Sequence, residues 1–220
     1  MAAGVPLWAV LADWTDRLRG VFDRTSDRVG SWTLVAVFAA LTASMASFLD
    51  FVMHRGCGAP PNIVRVELAF SGAHFRTLLL GGTPEAVCRA NVVESLFWDC
   101  AFPLAYAPLC VVLYLWAERW RRRSVTGRRD TPAARSRWRD VLVLAPMLAG
   151  ALDLCENAGL AVAAAALPSH ITSPLPPIVG VAVFVSSTAS AAKWLWLLFA
   201  STGIGAELVA GARALRVSEH

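Results

Sequence analysis

An all-α membrane fold, built as a four-helix bundle of spanning helices, is predicted by three features of the sequence. Apolar stretches recur at about 31–53, 92–117, 141–167 and 178–202, each long enough at about 1.5 Å per residue to cross a hydrocarbon layer of about 30 Å. Hydrophobic residues make up 56% of the 220-residue chain and charged residues only 16%, below the roughly 25% charge of a soluble domain. The arginines are concentrated in one connection, as expected of a cytoplasmic loop. An amphipathic segment at 1–30 precedes the transmembrane domain, 31–202, a capping outer loop occupies 54–91, and 203–220 form a tail.

Residues 5–29 place Leu7, Trp8, Leu11, Trp14 or Thr15, Leu18 and Val21 or Phe22 at three- and four-residue steps, with Asp13, Asp16, Arg17, Arg24 and Asp27 mostly on other faces. Such a segment is too charged to cross. It lies at the membrane surface or packs on the cytoplasmic end of the bundle, and the spacing does not separate the two. Residues 1–12 lack the basic start of a cleavable signal peptide, so the first span is expected to act as the targeting signal.

In the first span Ala36, Ala40, Ala43, Ser47, Asp50 and His54 follow at alternating four- and three-residue steps. Small residues allow close helix approach, so this stripe is expected to face the bundle, with Asp50 and His54 at its outer mouth. The loop that follows opens on Gly56, Gly58, Pro60 and Pro61, which break the helix. Val64 to Phe70 then alternates apolar with polar, and Ala73 to Leu80 suits a short helix.

The second span carries Glu94, Asp99, Pro103 and Pro108, and the prolines are expected to bend it. Nine arginines between 118 and 140 mark the next loop as cytoplasmic. The third span holds Asp153, Glu156 and Asn157 in its interior, at i, i+3 and i+4, hence on one face. A carboxylate at mid-bilayer costs about 2.5–3.5 kcal/mol even on lenient scales, so this face must find partners or water. The fourth span places Ser186, Ser190 and Lys193, the only lysine, on one face. Depth counting lets Lys193 reach Asp153 as a counter-ion. The loop between the last two spans is proline-rich and uncharged, which suits the outer side. Charge distribution therefore puts both termini in the cytoplasm of a multi-pass membrane protein.

These residues define the candidate site. Asp153 and Glu156 are the candidate catalytic groups, because crowded carboxylates in low dielectric share protons and so suit acid/base work on a lipid-like substrate or proton-linked transport. Asp50, Asp99, Asn157, Lys193 and Ser190 are the candidate ligand-binding residues. A purely structural reading, in which these groups hydrogen-bond helix to helix, stays open. His54, His74 and His170 all fall on the outer side and, with Asp50, Asp99 or Glu156, are the alternative set of metal ligands, but they lack HxxxH or HExxH spacing, so no metal is expected. No cofactor fingerprint is present, and five cysteines without CxxC spacing argue against redox or zinc chemistry. Cys57 and Cys88, in one loop, are the candidate pair. The net charge of +4 reports topology rather than nucleic acid. The partners expected are the lipid bilayer, a lipid-like or amphipathic small molecule and, in the alternative role of an accessory or assembly subunit, a membrane protein.

The runs SLFWDCAFPLAY at 95–106, GALDLCENAGL at 150–160 and SAAKWLWLL at 190–198 resemble a group of uncharacterised bacterial four-helix membrane proteins with a D-x-x-E-N third helix. The resemblance implies a shared fold and a place in the bacterial plasma membrane, and names no activity. Phe97 to Pro103 also resembles the second helix of the EXPERA membrane proteins, which implies an acid-lined lipid pocket. The paired Asp153 and Glu156 and the lysine at 193 depart from that pattern, so sterol isomerisation is not carried over.

Overall fold

The computed structural model describes residues 6–55, 63–80, 86–124, 137–167 and 173–218. Cys57, His170 and the side chain of Cys88 lie outside the described residues, as does 125–136 of the arginine-rich loop. The described residues form eight helices and no strand: α1 (Leu7–Val29), α2 (Ser31–His54), α3 (Ile63–Glu67), α4 (Gly72–Leu80), α5 (Ala86–Asp99), α6 (Pro103–Ser124), α7 (Arg137–Ala166) and α8 (Pro177–Ser218). Three of them, α2, α7 and α8, are long and apolar enough to cross a membrane, and the bent pair α5–α6 makes a fourth if it is one span. The chain is thus all-α with the character of a multi-pass membrane protein.

Pro103 explains the bend. It cannot donate to the preceding turn and opens α6 at the position where proline is tolerated. Between the helices Ala101 N–H donates to Trp98 O at 2.9 Å and Phe102 N–H to Asp99 O at 3.0 Å, a tightened turn across which the axis changes by 43°. Pro108 sits inside α6, which continues through it.

The chain divides into two compact units. The first comprises Met1–Ala40, Ala107–Leu148 and Trp196–His220. Its apolar centre is Phe22, Val111, Val112, Tyr114, Leu115 and Val143, with Leu34, Val35 and Phe38 packed against it. α1 is docked by a polar face. Thr15, Arg19, Phe22 and Ser26 are buried, whereas Leu7, Trp8, Trp14 and Val21 point outward. Arg19 Nε donates to Glu118 at 3.1 Å and Arg19 Nη1 to Asp140 at 2.8 Å. Burial works against the Arg19 charge, but Glu118 and Asp140 outweigh it and hold the guanidinium above its ordinary range. Nearby, Glu207 of α8 pairs with Arg121 of α6 and, at 3.2 Å, with Arg139 of α7. These contacts explain why α8 does not stop near residue 202. It runs to Ser218, with Glu207 buried in the unit.

The second unit comprises Leu41–Tyr106 and Ala149–Leu195. Its core joins Met53, Val66, Ala69, Phe75, Leu79, Val92, Leu96, Leu160, Ala163, Val179 and Val183. The expected outer loop therefore includes two short helices, α3 and α4, that bury Val66, Phe75 and Leu79 rather than merely covering an opening.

The small-residue stripe of α2 is a correction. Ala36, Ala40, Ala43, Ser47, Asp50 and His54 all face outward. Leu34, Val35, Phe38, Met45 and Leu49 are half-buried and Val52 and Met53 buried, because these larger side chains cover more apolar surface where α2 meets its neighbours.

Candidate functional site

Within the second unit the helices are inside-out. α7 buries Asp153, Glu156 and Asn157 while Leu154 and Cys155 face outward. α8 buries Ser186, Ser187, Ser190 and Lys193 while Phe184, Val185, Trp194 and Leu195 face outward. Helical periodicity alone creates this segregation, since polar residues three and four apart share a face. An apolar solvent favours it, because hydrocarbon cannot satisfy polar groups.

Lys193 is the centre. Its Nζ donates to Asp153 Oδ1 at 2.7 Å, lies 2.6 Å from Glu156 Oε2 and 3.6 Å from Glu67 Oε2. The second and third carboxylates come from different elements, Glu156 from α7 and Glu67 from the end of α3. Ser190 of α8 also donates to Glu67, at 3.4 Å. Next to this cluster, Asn157 Nδ2 donates to Asp99 Oδ2 at 3.0 Å, which brings the last residue of α5 to the same face of α7.

Two details fit α3–α4 to α8. The Phe70 N–H donates to Ser187 Oγ at 3.1 Å, and it does so from a left-handed backbone, φ 51°, that a bulky residue adopts only when its surroundings enforce it. Gly72 meets the backbone of Gly180 so closely that a Cβ there would stand 3.2 Å from the Gly180 nitrogen. On the α7 side, Gly159 plays the same part. A Cβ at that position would collide with Ser186 Oγ, so the glycine admits the hydroxyl stripe of α8.

Charge and hydrogen-bond capacity do not balance. One ammonium faces three carboxylates; Glu156, fully buried, meets it through Oε2, while Glu156 Oε1 and Asn157 Oδ1 have no hydrogen-bond partner among the described residues. The site therefore offers acceptors in excess. Chemically it can hold a proton between carboxylates, or take a group that brings N–H or O–H donors.

Of the residues expected at the site, Asp153, Glu156, Asn157, Asp99, Lys193 and Ser190 come together. Asp50 does not. Its side chain is 75% exposed and 3.2 Å from His54 Nδ1, one turn along α2. His74 is exposed, and among the described residues no group of three or more His, Cys, Asp or Glu side chains could hold a metal. The residue that sequence reasoning missed is Glu67. Its signal was present as the single acid in the alternating run Val64–Phe70.

No protein-family model, no curated protein and no solved structure matches the chain.

Proposed function

We propose that this is a four-span membrane protein, a four-helix bundle with both termini cytoplasmic, whose buried acidic site binds or processes a lipid-like or amphipathic small molecule. The observation that carries the reading is the acceptor excess around Lys193, where one ammonium faces three buried carboxylates and Glu156 Oε1 and Asn157 Oδ1 have no donor among the described residues. A ligand headgroup with hydroxyl or amine donors would satisfy them, and its apolar part would stay among the helices. Asp153 or Glu156 is the group that changes protonation, Lys193 the tethered counter-ion, and Asp99, Asn157 and Ser190 the groups that orient the headgroup.

The experiment is native mass spectrometry of gently solubilised protein beside the Asp153→Asn, Glu156→Gln double variant, with helicity checked by circular dichroism. A small molecule retained by the wild type and lost from the folded variant supports the site. Equal retention by both overturns it.

A second reading, an accessory or assembly subunit, is favoured by α2. Only 6% of its spanning window is buried within the chain, and its small-residue stripe faces outward, a surface suited to another helix. A stoichiometric protein partner with no small ligand in the same spectra would select this reading.

A further inference from the structure

The acidic cluster of the second unit is short of positive charge. Glu67, Asp153 and Glu156, all buried, stand within 3.6 Å of the Lys193 ammonium, and Asp99 reaches the same face of α7 through Asn157. The other described cations of the unit are engaged elsewhere or turned outward. Arg55 pairs with Glu94 at 3.0 Å, Arg76 donates to Ser173 O at 2.7 Å, and His54, Arg65 and His74 are exposed. Four carboxylates beside one ammonium leave a negative balance, and an uncompensated charge is costly to bury. The balance has to be made up from outside the chain, by protons or by a cation.

Unused hydrogen-bonding capacity points to the cation. Glu156 is 0% exposed and Asn157 1%, and each presents one oxygen, Oε1 and Oδ1, with no partner among the described residues. Both oxygens are acceptors, adjacent in sequence on α7, and Asn157 is oriented by its Nδ2, which donates to Asp99 at 3.0 Å. A proton satisfies one oxygen. A group with several N–H donors can serve both while adding charge. The donor set does not suit a metal, since among the described residues no three acids are placed to ligate one ion. A trimethylated ammonium has the charge and no donor, a hydroxyl has a donor and no charge, and a primary ammonium has one charge and three donors.

We propose, resting on the reading above that this site binds an amphiphile, that the headgroup it takes is a primary ammonium, received by Glu156 Oε1 and Asn157 Oδ1, with the surplus carboxylates supplying the balancing charge. Hydrogen bonds between an ammonium and a carboxylate are stronger than neutral ones, and burial strengthens them further. The same charge count sets a limit on the ligand. Lys193 is already shared by three carboxylates, so a phosphate carried next to the ammonium would meet acids alone. The class selected is therefore a long-chain amine without a phosphate, rather than a phosphoethanolamine lipid.

The test uses the full-length protein in uncharged detergent, titrated with one tail-labelled alkyl chain that carries in turn a primary amine, a trimethylammonium, a hydroxyl or a phosphoethanolamine group, read by fluorescence anisotropy. The amine is expected to bind at least about tenfold tighter than each of the other three, the worth of one hydrogen bond to a charged group. Glu156→Gln is expected to weaken the amine about tenfold and to leave the alcohol within about twofold. An amine that binds no tighter than the alcohol overturns the proposal and leaves the amphiphile site standing, because protons then balance the acids. An equal trimethylammonium overturns it by showing that charge is read without donors, and an equal phosphoethanolamine overturns it by showing that phosphate is accepted. If no chain binds the wild type more tightly than the Asp153→Asn, Glu156→Gln variant, the site reading falls with it. Glu156→Gln keeps the Lys193–Asp153 hydrogen bond, and an unchanged circular dichroism spectrum verifies its fold; should it not fold, the wild-type ranking of the four headgroups decides.

Discussion

Lys193 Nζ lies 2.6 Å from Glu156 Oε2 and 2.7 Å from Asp153 Oδ1. Two acids one helical turn apart on α7 thus share one cation. Both hold the lysine, and Glu156 keeps acceptor capacity at Oε1, which has no partner among the described residues.

Removing the cation strands the acids. Lys193→Met is expected to destabilise the protein by about 3–5 kcal/mol, the usual cost of leaving a buried charge unpaired. Adding Glu156→Gln and Asp153→Asn to that variant should recover part of the loss. Thermal unfolding in one detergent checks both; a triple variant less stable than Lys193→Met alone contradicts the charge-balance account.

The three carboxylates are not equivalent. Double-mutant cycles with Lys193 should give a coupling for Asp153 near the top of the roughly 0.5–3 kcal/mol range for contacting residues. Glu67, at 3.6 Å, should fall near the bottom. Equal couplings would mean that distance does not set the order.

Gly159→Ala places a methyl group against Ser186 Oγ and 3.2 Å from Ala182 O. A loss of about 1–3 kcal/mol is expected, the usual cost of overpacking. Ser186→Ala should rescue part of it, since that hydroxyl donates only to Ala182 O within its own helix, at 2.8 Å. Unfolding midpoints of the two single variants and the double variant provide the comparison.

Arg19 holds α1 in place. Arg19→Met leaves Glu118 and Asp140 without their buried partner and is expected to cost about 3–5 kcal/mol, while Arg17→Met, at an exposed pair, should change stability by about 0.5 kcal/mol or less. Limited proteolysis within residues 7–29 should accelerate for Arg19→Met alone. Because the Arg19 guanidinium is held above its ordinary range, its stabilisation is complete below that range and is lost only as strongly alkaline pH titrates the folded state. The difference between the two variants should therefore not change between pH 6 and pH 9.

Much of the site was legible because helices translate spacing into faces. Asp153, Glu156 and Asn157 had to share a side, and the reach from Lys193 to Asp153 follows from depth counting. Glu67 was visible only as a lone acid in the run Val64–Phe70; its partner was not legible, since the pairing depends on α3 packing into the core and a five-residue helix has too little periodicity to announce a direction. The α2 stripe misled for a different reason. Small residues permit close approach but do not compel it, and the larger Leu34, Val35 and Phe38 gain more by burial. On α1, Trp14 and Thr15 were alternatives for the same position in the stripe. The structure buries Thr15, whose hydroxyl donates to Asp140 at 3.1 Å, because the carboxylates of α6 and α7 draw the polar side inward.

Glu67 is made well before its partners. Ser190, which donates to it, lies 123 residues later in the chain. At about 5–20 residues per second, translation leaves the carboxylate waiting roughly 6–25 s for the last helix. During that interval its charge has no ammonium to meet, so α3 cannot settle into an apolar interior. The expected order of biogenesis therefore seats this segment only when α8 arrives, and holds it at the aqueous boundary until then. A ribosome-stalled chain ending before residue 190 should leave α3–α4 open to water, while the finished protein has closed it.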